Sequence, residues 1–244
     1  MPQIKVLSYN VRGLRDDRAA LHTIVRQVRP DVALIQEAPS RLRWRPRCAA
    51  LARECGLLYA AGGRTAGGNL LLVSSRIDVH AVEELRIPQR AREPIRGVVA
   101  ATLGLEKVRF AAVGIHLGLS SLGRRRDVRE VLGVLRVRRD LPIVLGGDLN
   151  EPVGGPSWRE FAAAGMHDPA TSVEPGDGGP SVGELDPHAP TFPAAGPRTR
   201  IDAIFVGPGA DVADYGVPTK ADLRYQLVRA TDHLPVVAVV DLPG

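Results

Sequence analysis

Residues 143–150 read Ile-Val-Leu-Gly-Gly-Asp-Leu-Asn. The apolar run Ile143 to Leu145 forms a short strand, and Gly146-Gly147 end it. Asp148 and Asn150 follow at i, i+2 spacing. That spacing puts both side chains on one side of an extended strand end. Taken alone, the same residues also fit a turn in which Asp and Asn bond their own backbone. The other strand ends decide between the two.

Working outward, Ile4 to Tyr9 reads as a strand ending at Asn10, with Arg12 just beyond. Asp16 and Asp17 are helix caps for Leu21, Ile24, Val25 and Val28, and Pro30 stops that helix. Val32 to Ile35 is a short apolar strand closed by Gln36-Glu37, and a helix covers about Arg45 to Glu54. Asn69 to Ser74, Val98 to Leu103 and Val108 to Ile115 read as strands, the last followed by His116. Leu122 to Arg139 is an amphipathic helix with Val128, Val131, Leu132 and Leu135 on one face. Ile201 to Val206 and Val236 to Val240 are the last strong strands, with Thr231-Asp232-His233-Leu234-Pro235 ahead of the second. Met166 to Arg200 is rich in Pro, Gly and Asp, and structureless loops of that length are functional or mobile. Too little chain follows it to make a second core, so residues 1–244 are read as one domain. Several strands adjoin without an intervening helix, which favours antiparallel or mixed sheets with helices packed outside.

Each polar cluster has a bland reading. Glu37 fits a solvated strand end, Asp232-His233 an ordinary turn or helix start, and His116 a satisfied core histidine. Asp202 is harder to dismiss. It stands between Ile201 and Ala203-Ile204-Phe205-Val206. A buried carboxylate there needs a partner, and a histidine is the natural one.

Composition narrows the classes. The chain has 244 residues, 44% apolar and 24% charged, with two cysteines and a net charge of +5. That excludes a wholly disordered chain, a coiled coil and a disulfide scaffold. No apolar run approaches the roughly 18 residues of a membrane span. Cys48 and Cys55 read as packing residues rather than a bridge or a metal pair. Only Lys5, Lys107 and Lys220 are lysines, so the positive charge is almost all Arg. Arg suits phosphate, although high-GC codon usage gives the same bias. Met1 to Leu7 starts as a strand without the pattern of a signal peptide, so the expected location is cytoplasmic.

In combination the motifs are far more specific. Ser-Tyr-Asn at 8–10, Gln-Glu at 36–37, Ile-His-Leu at 115–117, Gly-Gly-Asp-Leu-Asn at 146–150, Arg-Ile-Asp-Ala-Ile-Phe-Val at 200–206 and Thr-Asp-His-Leu-Pro at 231–235 follow in order. The string resembles the endonuclease/exonuclease/phosphatase family of pancreatic-type deoxyribonucleases, from Ile4 to Val240. Thr191-Phe192-Pro193 looks like that family's lead-in to Asp202. The resemblance implies a four-layer α/β sandwich, two mixed β-sheets packed face to face with helices outside.

It also implies metal-dependent phosphoester hydrolysis, with Mg²⁺ as cofactor and Mn²⁺ as a substitute. Glu37 matches the main metal ligand, with Asn10 and Asp232 completing its surroundings. Asp148 matches the group that orients or deprotonates water, Asn150 the amide at the phosphoryl oxygens, and His233 a phosphate contact oriented by Asp202. His116 matches a second histidine on the leaving-group side, as general acid. Arg12, Asn69 and Arg96 are the expected substrate-binding residues, with Arg92 near them. Two departures stand out. The glutamate that partners the second histidine in pancreatic-type nucleases is missing from the strand that begins near Gly68-Asn69. Pro39 stands where those nucleases carry a minor-groove arginine. The residue at 12 is also not the aspartate of apurinic-site repair enzymes.

The expected substrate is nucleic acid, from the net charge, Arg12 and the interleaved Arg43-Trp44-Arg45. Residues 41–47 also fit the wet face of a helix start with one packed Trp. The alternative substrate is a small phosphorylated metabolite or a lipid head group. A binding-only protein is the third reading, disfavoured because each main position carries a competent residue. No obligate protein partner is evident.

Overall fold

A computed structural model describes residues 1–91, 93–173 and 184–243. Its strands are β1 (Gln3–Asn10), β2 (Val32–Gln36), β3 (Leu58–Gly62), β4 (Leu70–Val73), β5 (Asp78–Ile87), β6 (Arg96–Leu105), β7 (Val108–His116), β8 (Ile143–Asp148), β9 (Leu185–Asp186), β10 (Asp202–Val206), β11 (Asp211–Pro218) and β12 (Val236–Asp241). The α-helices are α1 (Arg18–Val28), α2 (Trp44–Glu54), α3 (Ser121–Arg136), α4 (Pro156–Ala163) and α5 (Arg224–Ala230). One sheet runs β3-β4-β2-β1-β12-β11-β9 and the other β10-β8-β7-β6-β5. Both are mixed, since β1 pairs parallel with β2 but antiparallel with β12, and β7 pairs parallel with β8 but antiparallel with β6.

Strand alternation sorts the apolar side chains into three cores. Val6, Leu34, Val99, Ala112, Val144 and Ile204 meet between the two sheets. Leu7, Tyr9, Ala33 and Ile35 point the other way and pack on Leu21, Ile24 and Leu51 of α1 and α2. Val113, Leu145 and Phe205 point outward from the second sheet onto Val128 and Val131 of α3 and onto Trp158 and Phe161 of α4. Helices, sheet, sheet and helices therefore form four layers, as expected.

Local signals set the helix ends. The Asp17 carboxylate accepts the Ala20 amide and the Ser120 hydroxyl accepts the Gly123 amide, each satisfying an orphan donor of the first turn. Cys48 and Cys55 are buried and free, and burial pushes their thiols up to about 11 and about 12. Among the described residues no helix is long and apolar enough to cross a membrane. Part of the expected loop from Met166 to Arg200, and Arg92, lie outside the described residues. Within the described part, residues 169–172 form a short 3₁₀ turn and β9 pairs with β11.

Candidate active site

The site follows from strand parity. Val6 and Ser8 face the second sheet, so Asn10 does too, at the strand end where the apolar core stops. In the second sheet Ala112 and Gly114 face inward, so His116 follows. Val144 and Gly146 bring Asp148 inward, and Ile204 and Val206 bring Asp202 inward. Register then aligns them, with His116 opposite Asp148 across β7–β8 and Asp202 opposite Asp148 across β8–β10. Gly146 lets the sheets approach, because a Cβ there would lie 2.8 Å from Leu34 and 3.3 Å from Ser8.

Asp148 is the hub and is 1% exposed. Its Oδ2 accepts from the Asn10 amide at 3.0 Å and lies 3.3 Å from His116 Nε2 and 3.7 Å from His233 Nε2. Its Oδ1 accepts the Asn150 amide N–H at 2.8 Å. The bond to a backbone two residues on is the turn reading, so turn and site coexist. Burial alone would raise Asp148. The charge and hydrogen bond of His116, the charge of His233 and the Asn150 amide outweigh it and hold the carboxyl well below the usual range.

His233 Nδ1 lies 2.9 Å from Asp202, and the Phe192 ring packs on the imidazole at 4.9 Å. Burial would lower His233, but the charge and hydrogen bond of Asp202, then Asp148 and Asp232, raise it to about 9. It is therefore an imidazolium at neutral pH. The Asn150 side-chain amide donates to Leu117 O at 2.9 Å and sits 3.0 Å from His116 Nε2. Asp148 thus stands beside His116 as its carboxylate neighbour.

These groups open into a cleft of about 920 Å³ lined by Glu37, Arg96, His116, Asp148, Asn150 and His233, among others. Glu37 has a positive φ of 51° after β2, and its backbone O takes the Gly13 N–H at 2.9 Å. Among the described residues its carboxylate has no hydrogen bond or ion pair. Arg96 is 7% exposed, with Nε donating to Leu117 O at 3.0 Å, and Asp148 and Glu37 are its counter-charges.

Three expected residues are placed otherwise. Arg12 lies outside the cleft walls, 3.1 Å from Asp232 and 3.4 Å from Asp16. Its fork is engaged by carboxylates that follow it in sequence and return to it in space. Asp232 is thus paired with Arg12. Asn69 is fully buried, and its amide donates to Ala66 O and Gly97 O, pinning the glycine loop to β6. Trp44 is buried, packed against Gly63. That removes the stacking platform expected of residues 43–45.

Thr191 escaped as an individual residue. Its hydroxyl accepts the Ile201 and Asp202 amides at 3.1 and 3.2 Å, and it bonds the Asp202 carboxylate. Its carbonyl takes the Leu234 N–H at 2.7 Å. One residue thus ties the Asp202 strand to the His233 loop. Only the Thr-Phe-Pro lead-in signalled it, because the partners are non-local.

A hard divalent ion needs oxygen ligands and often only one or two carboxylates, keeping several waters. Glu37, open to the cleft and unpartnered, fits that need. Asn10 Oδ1 already accepts the Arg12 N–H at 3.0 Å. Asp148, Asp202 and His233 also bring ligand atoms within 4.8 Å of one another. In this structure those atoms face one another, with His233 Nδ1 2.9 Å from Asp202.

A model of the endonuclease/exonuclease/phosphatase family matches residues 7–233. No curated protein matches. Among solved structures, a Bacteroides thetaiotaomicron protein of that family superposes with TM-score 0.74 at 20% identity, covering 99% of both chains. The mannosyl-6-phosphatase of the same organism gives 0.76 at 18%, covering 98% of this chain and 100% of that one. D. rerio TDP2 complexed with a single-strand DNA product gives 0.69 at 16%, covering 99% and 100%. At these identities the likeness is one of fold.

Proposed function

The chain belongs to the endonuclease/exonuclease/phosphatase family, and on that premise we propose that it is a Mg²⁺-dependent phosphoester hydrolase acting at the cleft over Asp148 and His233. The observation that carries this is a buried carboxylate kept ionised between two histidines at the floor of an arginine-walled cleft. One water adds across a P–O bond: its OH goes to phosphorus and its proton ends on the departing oxygen. Asp148 holds and orients that water. His233, already protonated, donates to a phosphoryl oxygen, and Asp202 keeps its Nδ1 proton in place. The Asn150 amide and Arg96 face the same phosphoryl group. His116, hydrogen-bonded to the hub, is placed to pass the proton to the leaving oxygen. Glu37 would hold the divalent ion, which when bound polarises a non-bridging phosphoryl oxygen.

The testing experiment is a panel of plasmid, single-stranded DNA, RNA, a bis-aryl phosphodiester and a phosphomonoester, each with Mg²⁺ and with chelator. Chelator-sensitive turnover of at least one ester is expected. None on any member removes the proposal.

Glu37→Gln should raise the Mg²⁺ midpoint of activity by about tenfold or more, the usual scale for losing a metal-site contact. It should also erase the Mg²⁺-induced rise in melting temperature. The melt without metal should barely change, since among the described residues the Glu37 carboxylate has no hydrogen bond or ion pair to lose. An unmoved midpoint would take Glu37 out of the metal site.

Thr191→Val leaves the Ile201 and Asp202 amides without their acceptor. A destabilisation of about 1–3 kcal/mol is expected. The alkaline fall of activity should also move down, because His233 loses its aligned partner, and Thr191→Ser should restore both. A lower melt with an unmoved pH profile would leave Thr191 as packing alone.

A further inference from the structure

The cleft continues past the reacting groups. Its walls carry Arg15, Arg41, Arg47 and Arg64 besides Arg96, against only Glu37 and Asp148. Among the described residues none of these five guanidiniums has a carboxylate within ion-pair distance. Some arginines on other faces are paired: Arg76, Arg138, Arg200 and Arg229 each hold a carboxylate within 3.3 Å. Five guanidiniums without a carboxylate partner thus converge on one mouth.

The same mouth is rimmed by aliphatic side chains from three separate segments. Leu42, Ile95 and Leu119 line it while 84%, 52% and 66% exposed. Leu122, three residues on and 60% exposed, extends the patch along the first turn of α3. Single exposed leucines need no explanation, but several gathered around one cleft mark an interaction surface. Aliphatic tips beside unpaired guanidiniums fit the interface of an anionic bilayer, where the tips enter the acyl boundary and the cations meet lipid phosphates. Nucleic acid would want ring faces for its bases. No Phe, Tyr or Trp is part of these walls; the Phe192 ring beside them is packed on His233, and Trp44 is buried.

We propose that this mouth docks on an anionic lipid bilayer and that the phosphoester brought to Asp148 is one lying in the headgroup plane. The chemistry rests on the hydrolase reading above; the docking rests on the rim alone.

The test is co-sedimentation of the full chain with vesicles of phosphatidylcholine, alone or mixed in equal parts with phosphatidylglycerol. Binding to the mixed vesicles should exceed binding to phosphatidylcholine alone by about tenfold or more and weaken with salt. Leu42→Ser with Leu119→Ser should cut it by about tenfold or more, and Arg41→Gln with Arg47→Gln by a similar factor. Circular dichroism melts matching the parent show that the losses are not unfolding. An aryl phosphodiester carrying an acyl chain, dispersed in mixed vesicles, should be cleaved faster than its soluble counterpart.

Equal binding to both vesicle types overturns the proposal, as does parent-like sedimentation of both double variants. So does capture of a single-stranded oligodeoxynucleotide with the mixed vesicles left unbound. Mg²⁺-dependent cleavage of the soluble ester without vesicle binding removes the docking and spares the hydrolase. Vesicle binding without cleavage of any ester does the reverse.

Discussion

Asp148→Asn is expected to lower turnover by about 10³-fold, within the usual span for losing acid–base help and an aligned charge. The substitution keeps the size of the side chain and leaves an oxygen for the Asn150 N–H, which Oδ1 now accepts at 2.8 Å. It removes the charge. The Asn10 amide, 3.0 Å from Oδ2, would then face either a neutral oxygen or a second amide. His233 would keep Asp202 but lose a second nearby anion, so its proton would be held less firmly. Water would meet a group that neither draws its proton nor repels its lone pairs toward phosphorus. The variant should also melt somewhat lower, because a carboxylate that balanced two histidines is gone. Turnover is therefore to be compared well below both melting temperatures and at saturating Mg²⁺. A rate within about tenfold of the parent would show that Asp148 is a structural hub and not a reacting one.

The strands that carry the site were legible because their signal is local. Val32 to Ile35 and Ile143 to Leu145 are continuous apolar runs closed by polar residues, and strands buried on both faces read that way. β5 was missed for the opposite reason. It is an exposed edge strand whose stretch Asp78–Ile87 carries charges on both faces, as edges that avoid self-pairing do. β11 was missed because it opens with Asp211-Val212-Ala213-Asp214, too short an apolar stretch between two acids to read as a strand, and bulges between Val212 and Asp214. The juxtaposition of Asn10, His116, Asp148 and Asp202 was written in strand parity, which sequence shows once strand ends are right. The fates of Arg12 and Asn69 were not. Arg12 meets Asp232 across 220 positions of chain, and Asn69 spends its amide on carbonyls of a glycine loop whose path no periodicity reveals. Long-range pairings of polar groups carry no local pattern, so they are where a reading of residue types stops.

His233→Ala should cost about 10²-fold in turnover at any pH, and Asp202→Asn should approach a comparable loss from neutral pH upward and recover in acid. The difference comes from what holds the proton. In the parent, His233 is raised from its ordinary 6.5 to about 9, chiefly against burial and by Asp202. Activity that needs the imidazolium is then flat through neutral pH and falls as pH rises through about 9. With Asn at 202 the burial remains and the main opposing charge is lost, so the fall moves down toward the ordinary 6.5. Asp148 stays ionised across that range, being held low, so lowering the pH of the variant should recover activity rather than abolish it. Stability follows the same sign. A folded value above the unfolded one stabilises fully below about 6.5, and that share is lost as pH climbs through about 9. The parent's melting temperature should therefore decline across this window, and the Asp202→Asn melt should not. Both curves are read on the same protein samples. If Asp202→Asn kept the parent's alkaline limb, the proton on His233 would owe nothing to Asp202. His233 would then have to hold its charge from Asp148 and Asp232, and the division of labour between Asp202 and Asp148 would have to be reversed.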